Sequence, residues 1–433
     1  MSEQRGTIVK TSSYKLWSWL FGNRDFIGLD IGSHSVKLVR LRHKKGQKKW
    51  ELRDLAYSSS LPPDAIVGGR IKDFAAVINA IRQCVRRTDA QDAKCAIAVT
   101  GASVFLRRLS LPKMTQSEFN ASVTHNTEPY FPANVINNFN TGGQILELHV
   151  GQDRMDALVA AAEKDIVNEY LTVAIEAGLK PVIVDVGIIA FLNIVRFNYH
   201  YTTVQSDKNA VICLDFGNCF TNVGIMTDNG KVSFSRHIET GGLAITREIQ
   251  KHFNISYELA ESYKTTVESN KMANQQLLAT VKGITEKMND AIITEIRQCV
   301  DFFNATNSKT KICHAYITGA AITPSLIHLL KRRLEINVEA INPFQKIAIN
   351  EERFFRCYFD ILSQKISNDL AIAVGLAMRG KGDDQIIGAT TRINLRGKNT
   401  LKIGEKIAIW LNDLQLKPHA RRRGAASFFD CLY

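Results

Sequence analysis

The chain has 433 residues, of which 45% are hydrophobic and only 9 are proline, so it can bury a large core and is not a disordered protein. Lys and Arg outnumber Asp and Glu by 13, and the excess lies at the two ends. Residues 1–53 carry 12 basic and 4 acidic side chains, and residues 379–433 carry 11 and 5. A near-neutral body with basic ends argues against a nucleic-acid groove. It favours contact of the ends with anionic lipid or with an acidic partner.

The eight cysteines include no C-x-x-C pair and no Cys/His cluster at zinc spacing, and free thiols indicate a reducing compartment. The first ten residues are polar and carry no secretory signal. The longest apolar stretches, residues 181–195 and 210–226, are shorter than the ~20 residues that cross a bilayer. We therefore predict a cytoplasmic chain without a membrane-spanning helix.

Two segments of the chain repeat one pattern. Residues 28–41 read GLDIGSHSVKLVRL and residues 213–226 read CLDFGNCFTNVGIM, so each has L-D-x-G followed by a strand-like alternation. Each is followed by a short apolar strand that ends in Thr-Gly-Ala, at 100–102 and 318–320. The repeat predicts two related α/β halves, each opening with a hairpin around an acidic glycine turn. In both halves the acidic residue precedes a polar residue by seven positions: Asp30 and Lys37, Asp215 and Asn222.

Around these segments the hydrophobic spacing predicts helices and further strands. Apolar residues recur every three or four positions from Ile71 to Val85 and from Met288 to Phe303, which is typical of amphipathic helices. Thr323-Pro324 has the sequence of a helix N-cap followed by proline at the first helical position. Residues 106–180 look like an insertion into the first half. The elements predicted there are a strand at 105–111, a helix at 117–128, strands at 145–150 and 157–161, and a helix at 165–177.

The two acidic glycine turns carry the residue types of a phosphate-binding site. Glycine lets a backbone approach a phosphate without a Cβ in the way, and hydroxyl, amide and lysine groups add donors. Carboxylates that face each other across a cleft commonly hold hydrated Mg²⁺, and we assign that role to Asp30 and Asp215. Hairpin geometry alone would explain a single turn, but two copies in register favour the functional interpretation. The candidate ligand-binding residues are Asp30, Gly32, Ser33, His34, Ser35 and Lys37 in the first half, and Gly217, Asn218, Thr221, Asn222, Gly241, Gly242, Gly319, Ala320 and Ala321 in the second.

From Asn23 to about Gly380 the chain resembles the PilM family, actin-like cytoplasmic proteins of type IV pilus assembly. The matching stretches read FIGLDIGSHSVKLVRL, LPPDAIVGGRIKDFAAVINAIR, LRRLSLPKMTQSEFNASVTHNTEPYFP, AAEKDIVNEYLTVAIEAGLKPVIVDV and IETGGLAITREIQ, the last of which precedes AYITGAAITPSLIHLL. The resemblance implies an α/β chain with the two-lobed actin-like ATPase (ribonuclease H-like) fold and an inserted α+β subdomain in the first lobe. The implied domains are a basic segment at 1–23, the first lobe at 24–105, 181–208 and 366–380, the inserted subdomain at 106–180, the second lobe at 209–365, and a basic tail at 381–433.

The resemblance also implies a function. ATP and Mg²⁺ would lie in the cleft between the lobes. The cytoplasmic N-terminal segment of a PilN-like inner-membrane protein would dock in a groove between the first lobe and the inserted subdomain. The protein would then be a scaffold at the inner face of the inner membrane, in contact with other pilus assembly components, and actin-like lobes often self-associate. Asp215 could position a water, but no further base or metal cluster accompanies the turns. We therefore expect ATP hydrolysis to be slow or absent.

Three features depart from the family pattern. Gly319-Ala320-Ala321 stands where the family usually has Gly-Gly-Gly, so added Cβ atoms could crowd a nucleotide. Phe216 and Cys219 replace small or aliphatic residues in the second turn. The tail contains Arg392-Ile393-Asn394-Leu395, which is similar to the Ile-Asn-Leu start of the PilN docking segment. The match is either a coincidence or a sign that this tail, or a neighbour's copy, occupies the partner groove.

Two other functions are compatible with the same fold. A small-molecule kinase would use Asp215 as a base towards a hydroxyl substrate, but it has no need for residues 106–180. A cell-division protein resembling FtsA would carry an inserted subdomain and bind membrane through an amphipathic helix, for which residues 401–416 are the candidate. Two residues also have open roles. His34 is either a phosphate donor or an exposed turn residue, and Asp185 is predicted to be a hydrogen-bonded structural carboxylate rather than a catalytic one.

Overall fold

A computed structural model describes residues 25–44, 49–58, 60–125, 130–131, 138–149, 151–203, 209–227, 230–267, 274–308, 310–350, 368–380 and 394–396. The N-terminal segment and the amphipathic helix predicted at 401–416 lie outside these residues. Within the described ranges, no helix has both the length and the apolar character needed to cross a bilayer.

The described part of the chain alternates strands with helices. The strands are β1 (Asp25–Ile31), β2 (Val36–Lys44), β3 (Lys49–Tyr57), β4 (Ile66–Val67), β5 (Arg70–Ile71), β6 (Lys94–Val99), β7 (Val104–Pro112), β8 (Phe139–Leu148), β9 (Arg154–Glu163), β10 (Lys180–Val186), β11 (Asn209–Phe216), β12 (Thr221–Thr227), β13 (Lys231–Ile238), β14 (Lys311–Thr318), β15 (Asn337–Ala340) and β16 (Ile347–Ala348). The α-helices are α1 (Phe74–Arg87), α2 (Gln116–His125), α3 (Lys164–Glu176), α4 (Gly187–Thr203), α5 (Gly242–Phe253), α6 (Tyr257–Val267), α7 (Gln275–Thr306), α8 (Pro324–Leu334) and α9 (Ala371–Ala377).

The first sheet forms around the first acidic turn and has the strand order β10-β6-β1-β2-β3-β16. Strand β1 runs antiparallel to β2 and parallel to β6. The predicted hairpin is therefore present, and Asp30 and Lys37 are direct cross-strand partners. Their seven-residue spacing places both side chains on the same face next to the hairpin turn, because residues opposite each other in a ladder point the same way.

The second sheet repeats this arrangement, with the order β13-β12-β11-β14-β15. Strand β11 pairs antiparallel with β12 and parallel with β14, as β1 does with β2 and β6. Asp215 and Asn222 are cross-strand partners, as Asp30 and Lys37 are in the first sheet. The two related halves predicted from the repeat are thus confirmed at the level of strand order and register.

The predicted insertion contains a separate three-stranded antiparallel sheet, β7-β9-β8, with α2 packed on it. Its small core includes the fully buried Phe119 and Val123 of α2 against Met155 and Val159 of β9. Helix α3, which the sequence prediction grouped with the insertion, packs against α1 and β6 of the first sheet. Strands β8 and β10 are edge strands of two different sheets, and residues 394–395 contact both; we call the space between these two strands the groove.

Three predicted helices, at 117, 165 and 324, begin within one residue of the prediction, whereas α7 begins at Gln275, well before the apolar repeat that starts at Met288. Thr323 caps α8 through its side chain, which accepts from the N–H of Leu326, and Pro324 occupies the first turn. The prediction that the first amphipathic helix begins at Ile71 is wrong, because Ile71 lies in β5. Asp73 accepts from the N–H of Ala76 and starts α1 at Phe74. An N-cap carboxylate satisfies an otherwise unpaired N–H, so it decides the helix start more strongly than the apolar spacing.

Helices α4 and α9 meet between the two sheets. Helix α4 packs on β11 and β12 of the second sheet, whereas α9 packs on β1 and β2 of the first. A Cβ added at Gly375 of α9 would lie 2.0 Å from the carbonyl oxygen of Ala190 in α4. A Cβ added at Gly28 of β1 would lie 1.9 Å from the carbonyl oxygen of Ala373. Both glycines thus allow main chains to touch directly.

Asp185, at the end of β10, has the structural role predicted for it. Its side chain is fully buried, accepts from the N–H of Val186 at 2.8 Å, and lies 3.2 Å from Nε of Arg379. Burial raises the pKa of Asp185, and Arg379 opposes that shift. This ion pair ties β10 to the turn that follows α9.

Candidate functional site

The two acidic glycine turns line one cleft between the sheets. The space along its walls, together with the solvent at its open mouth, is about 700 Å³. Several predicted residues lie on its wall together with residues that the sequence did not indicate. The predicted ones are Asp30, Gly32, Ser33, His34, Lys37, Asp215, Gly217, Asn218, Asn222 and Ala320. The additional ones include Ile66, Gly69, Thr100, Tyr170, Cys219, Phe220, Thr318, Asp369 and Ile372.

A buried lysine holds the first turn of the cleft. Lys37 is 5% exposed, and its Nζ lies 3.4 Å from Oδ2 of Asp30 and 3.1 Å from Oδ1 of Asp369. Burial alone would lower the pKa of Lys37, but the two carboxylates outweigh it and raise that pKa well above its usual range. Lys37 is therefore charged, and its single positive charge offsets part of the negative charge of Asp30 and Asp369.

Asp369 is joined to the first turn by a chain of hydrogen bonds. Tyr57 donates its hydroxyl to Oδ2 of Asp369 at 2.6 Å, and Ser35 donates to the Tyr57 hydroxyl at 2.8 Å. The Ser35 side chain is fully buried and does not line the cleft. Its hydroxyl therefore fixes the turn from behind.

The second turn presents a buried carboxyl, Asp215, which is 6% exposed. Burial raises its pKa to about 7, while a hydrogen bond of 2.9 Å from Nδ2 of Asn222 favours the charged form. The Asn222 Oδ1 lies 2.9 Å from Nδ1 of His237, so this ring nitrogen is the donor. Burial also lowers the pKa of His237, which keeps the ring neutral at pH 7. The hydrogen bonds from His237 through Asn222 to Asp215 fix the orientation of the Asn222 and Asp215 side chains.

Asn218 offers a donor that the protein itself does not use. The residue lines the cleft, and its Nδ2 is buried without a hydrogen-bond partner among the described residues. A buried amide N–H that lacks a partner is costly, so such groups often serve a ligand or an ordered water. An anionic oxygen in the cleft would satisfy it.

The third glycine turn follows β14 and lies close to the second. Gly319 has a φ of +116°, and a Cβ there would lie 2.2 Å from the carbonyl oxygen of Phe216. The N–H of Ala321 donates to that same carbonyl at 3.1 Å. Of the two alanines, Ala320 lines the cleft, whereas the Cβ of Ala321 faces Gly242 on α5. Phe216 is buried in the core of the second sheet, so it does not crowd the cleft.

Several predicted donors serve the protein rather than the cleft. The N–H groups of Gly242 and Leu243, at the start of α5, donate to the carbonyls of Gly217 and Asn218. A Cβ at Gly241 would lie 2.5 Å from the Gly217 carbonyl oxygen, so glycine is needed there for packing. The Thr221 hydroxyl donates to the carbonyl of Thr240 at 2.8 Å. These residues shape the second turn, and their role towards a ligand stays a prediction.

The carboxylates of the cleft do not form a ready-made metal cage. Among the described residues no group of three or more His, Cys, Asp or Glu side chains is placed to bind a metal ion. Burial raises the pKa of Asp30, and its nearest cation is Lys37. The donor set therefore suits a hydrated Mg²⁺ that brings its own waters and phosphate ligands, as Mg²⁺ usually does.

The sequence did not reveal Asp369 and Tyr57, which are 312 residues apart. Asp369 lies in a 3₁₀ turn directly before α9. The turn is anchored by the Thr318 hydroxyl, which donates to the carbonyl of Asn368. The only local signal for Asp369 is its position directly before the small-residue run AIAVGLA. An acidic residue before a helix is too common to indicate a site.

Comparison with known proteins gives one family and several similar solved structures. The chain matches the model of a family described as type IV pilus assembly protein PilM over residues 28–381. A solved structure of a PilM-PilN type IV pilus biogenesis complex is similar, with a TM-score of 0.69 and 24% identity. That match covers 82% of this chain and 98% of that chain. At this identity the likeness concerns the fold, and it confirms the predicted actin-like ATPase fold.

Two further structures match over similar shares of the chain. The ethanolamine utilization protein EutJ from Carboxydothermus hydrogenoformans has a TM-score of 0.46 and 13% identity, covering 82% of this chain and 89% of its own. MreB5 of Spiroplasma citri bound to ADP has a TM-score of 0.42 and 14% identity, and the match covers 82% of this chain and 96% of that chain.

Proposed function

This chain belongs to the PilM family of type IV pilus assembly proteins, and from that membership we propose that it is an ATP-binding scaffold at the inner face of the inner membrane. Its partner would be the cytoplasmic N-terminal segment of a PilN-like protein. The observation that carries the proposal is the single cleft lined by both acidic glycine turns, with the unpartnered Nδ2 of Asn218 buried in its wall.

The residues of the cleft fit a Mg²⁺-nucleotide. Asn218 would donate to a phosphate oxygen from one side, opposite the turn formed by Gly32, Ser33 and His34. Asp30 and Asp215 would hold the metal through its waters. Bound Mg²⁺-ATP would supply a phosphate chain that touches both turns and so favours lobes that are close together. Lys37 lowers the negative charge that this anion meets, because it pairs with Asp30 and Asp369.

Turnover is expected to be slow or absent. Asp215 is the candidate base on the second turn, and in the nucleotide complex its carboxylate would be engaged by the waters of Mg²⁺. Its hydrogen bond from Asn222 holds the carboxyl in place and further engages its lone pairs. Steady-state phosphate release should therefore stay far below the ~10 per second that is typical of enzymes. A rate of that order would contradict the scaffold function.

The partner would dock in the groove between β10 and β8. Both are edge strands among the described strands, and an exposed edge offers main-chain donors and acceptors to an extended peptide. The similar solved structure is a complex of PilM with PilN, which supports the choice of a PilN-like segment as the occupant.

The nucleotide part of the proposal is tested with Asn218→Ala. We expect Mg²⁺-ATP binding, measured by calorimetric titration, to weaken about tenfold, because a hydrogen bond to a charged group contributes ~1.5 kcal/mol or more. Asn304→Ala, an exposed asparagine on α7, removes the same side chain away from the cleft and should bind as the wild type does. Equal affinity in the two variants would show that Asn218 does not meet a phosphate. Asp30→Ala and Asp215→Ala should also weaken Mg²⁺-ATP binding, and unchanged affinity there would contradict the metal assignment.

The partner part is tested by titrating the organism's own PilN-like cytoplasmic segment, with and without Mg²⁺-ATP. Saturable binding whose affinity depends on nucleotide is the expected result. Phosphorylation of a small hydroxyl substrate without any segment binding would instead favour the kinase alternative.

A further inference from the structure

One side of strand β10 pairs with β6, and its other side is in contact with a different part of the chain. The N–H of Leu395 donates to the carbonyl of Val184 at 2.8 Å. The N–H of Val184 donates to Oδ1 of Asn394 at 3.1 Å. Both main-chain groups of Val184 are thus engaged by two consecutive residues of the tail. This is how a peptide adds to a sheet edge, except that an asparagine side chain replaces one main-chain carbonyl.

The opposite wall of the groove also contacts this dipeptide. A Cβ added at Gly142 of β8 would lie 3.0 Å from the carbonyl oxygen of Asn394 and 3.5 Å from its nitrogen. The main chain of Asn394 therefore lies against the edge of the inserted sheet at a position that has no side chain. The dipeptide spans the groove from the inserted subdomain to the first sheet.

Leu395 supplies the apolar part of the contact. Its side chain is fully buried, although residues 381–393 and 397–433 lie outside the described part of the chain. The groove thus recognises two features: an amide side chain that accepts from Val184, and a large aliphatic side chain directly after it that is removed from water.

We propose that the β10–β8 groove is a peptide-docking site that the chain fills with its own Asn394-Leu395, so that a partner segment binds only by displacing this part of the tail. The inference rests on the proposed function for the identity of the competing partner. The occupant itself is seen in the groove. The partner segment is expected to present the same chemistry, an asparagine followed by a large aliphatic residue in an extended main chain.

The first test uses a labelled synthetic peptide with residues 390–400 of this chain and the full-length protein. Leu395→Asp places a charge where a buried aliphatic side chain lies, so it should empty the groove. We expect the peptide to bind the Leu395→Asp chain at least tenfold more tightly than the wild type, as measured by fluorescence anisotropy. Leu259→Asp is the matched control, because Leu259 is 41% exposed on α6 of the other lobe. Adding Gly142→Val to Leu395→Asp should abolish peptide binding. Equal binding to the wild-type and Leu395→Asp chains would overturn the inference.

A second variant keeps the inference testable if the Leu395→Asp chain does not fold. Asn394→Ala keeps Leu395 but removes the acceptor for the Val184 N–H, so hydrogen exchange at Val184 should become at least tenfold faster. Unchanged exchange there would also overturn the inference.

The partner segment separates this inference from the proposed function. A PilN-like segment that binds Leu395→Asp at least tenfold more tightly than wild type supports both. Equal binding to both chains contradicts the tail's role and leaves the docking function intact. A segment that binds neither chain, while the tail peptide binds Leu395→Asp, contradicts the proposed partner and supports the groove as a site for the tail.

Discussion

Asp215 is a carboxyl group whose surroundings decide its charge. Burial raises its pKa to about 7, and the nearby carboxylates of Asp30 and Asp369 act in the same direction. The amide of Asn222 and the ammonium of Lys37 favour the ionised form but do not prevent the shift. Without nucleotide or magnesium, the folded protein therefore binds a proton at Asp215 over a pH range in which the unfolded chain does not.

This shift predicts how stability depends on pH. Since the pKa rises from 3.8 in the unfolded chain to about 7 in the folded one, the ionised carboxyl opposes folding. The contribution of Asp215 to stability is complete below pH ~4 and is lost as the pH rises to ~7, at about 1 kcal/mol per pH unit. The free energy of unfolding of Asp215→Asn minus that of the wild type should therefore increase between pH 5 and 7. Above pH 8 this difference should be constant.

Denaturant unfolding of the ligand-free protein at several pH values measures this difference. Asp301→Asn, at an exposed position of α7, is the matched control for loss of one charge. A difference between Asp215→Asn and wild type that is the same at pH 5 and pH 8 would show that Asp215 is not buried as described.

The residues of the cleft differ in how far the sequence reveals them. Asp30 and Lys37, and likewise Asp215 and Asn222, are cross-strand partners in hairpins, so a fixed spacing in the sequence predicts their contact. Asp369 reaches the same cleft from the far end of the chain, and no local pattern marks it. Which hydroxyls face the cleft also escaped prediction, because Ser35 and Thr221 found partners inside the protein.

At the level of elements, the hairpin strands were easier to predict from the sequence than the limits of the insertion or the residue at which α1 begins. The repeat fixes the hairpins, since their apolar alternation and glycine turns are local properties. The grouping of α3 with the insertion could not be judged in this way, because its packing against α1 and β6 depends on the tertiary arrangement. The start of α1 was missed for a local reason, namely that the Asp73 cap was weighed less than the apolar spacing.

The contact between α4 and α9 predicts that adding one methyl group at Gly375 lowers the stability of the protein strongly. Gly375→Ala places a Cβ 2.0 Å from the Ala190 carbonyl oxygen, closer than two such atoms can approach, so the helices must separate. We expect the free energy of unfolding to fall by about 3 kcal/mol, as for other overpacked contacts.

Gly283→Ala is the matched control for that variant. Gly283 lies within α7 and has open space around its Cβ position, so alanine should stabilise the helix by about 0.5–1 kcal/mol. Chemical denaturation of both variants measures the contrast. A Gly375→Ala protein as stable as wild type would mean that the two helices do not touch at their main chains.

For the molecule as a whole, the cleft and the groove both border the first sheet, and Asp185 at the end of β10 pairs with Arg379 beyond α9. If nucleotide changes the affinity for the partner segment, the segment must change the affinity for nucleotide by the same factor. We expect a factor of roughly 5 to 150. Titrating each ligand with and without the other, on the Leu395→Asp chain, gives both numbers. A factor of one in both directions would mean that the two sites act independently.

The meeting of Gly375 with Ala190 also bears on mechanics. Helix α9 packs on the first sheet and α4 packs mainly on the second, so we expect a tilt of one lobe against the other to turn about the place where the helices cross. Two main chains in direct contact have no interleaved side chains to exchange rotamers, and the spacing between them cannot shrink. We therefore expect the two helices to rotate against each other at this contact more easily than they slide along each other. Small changes of distance at the mouth of the cleft would then appear, magnified by the lever arm of each lobe, at its outer rim.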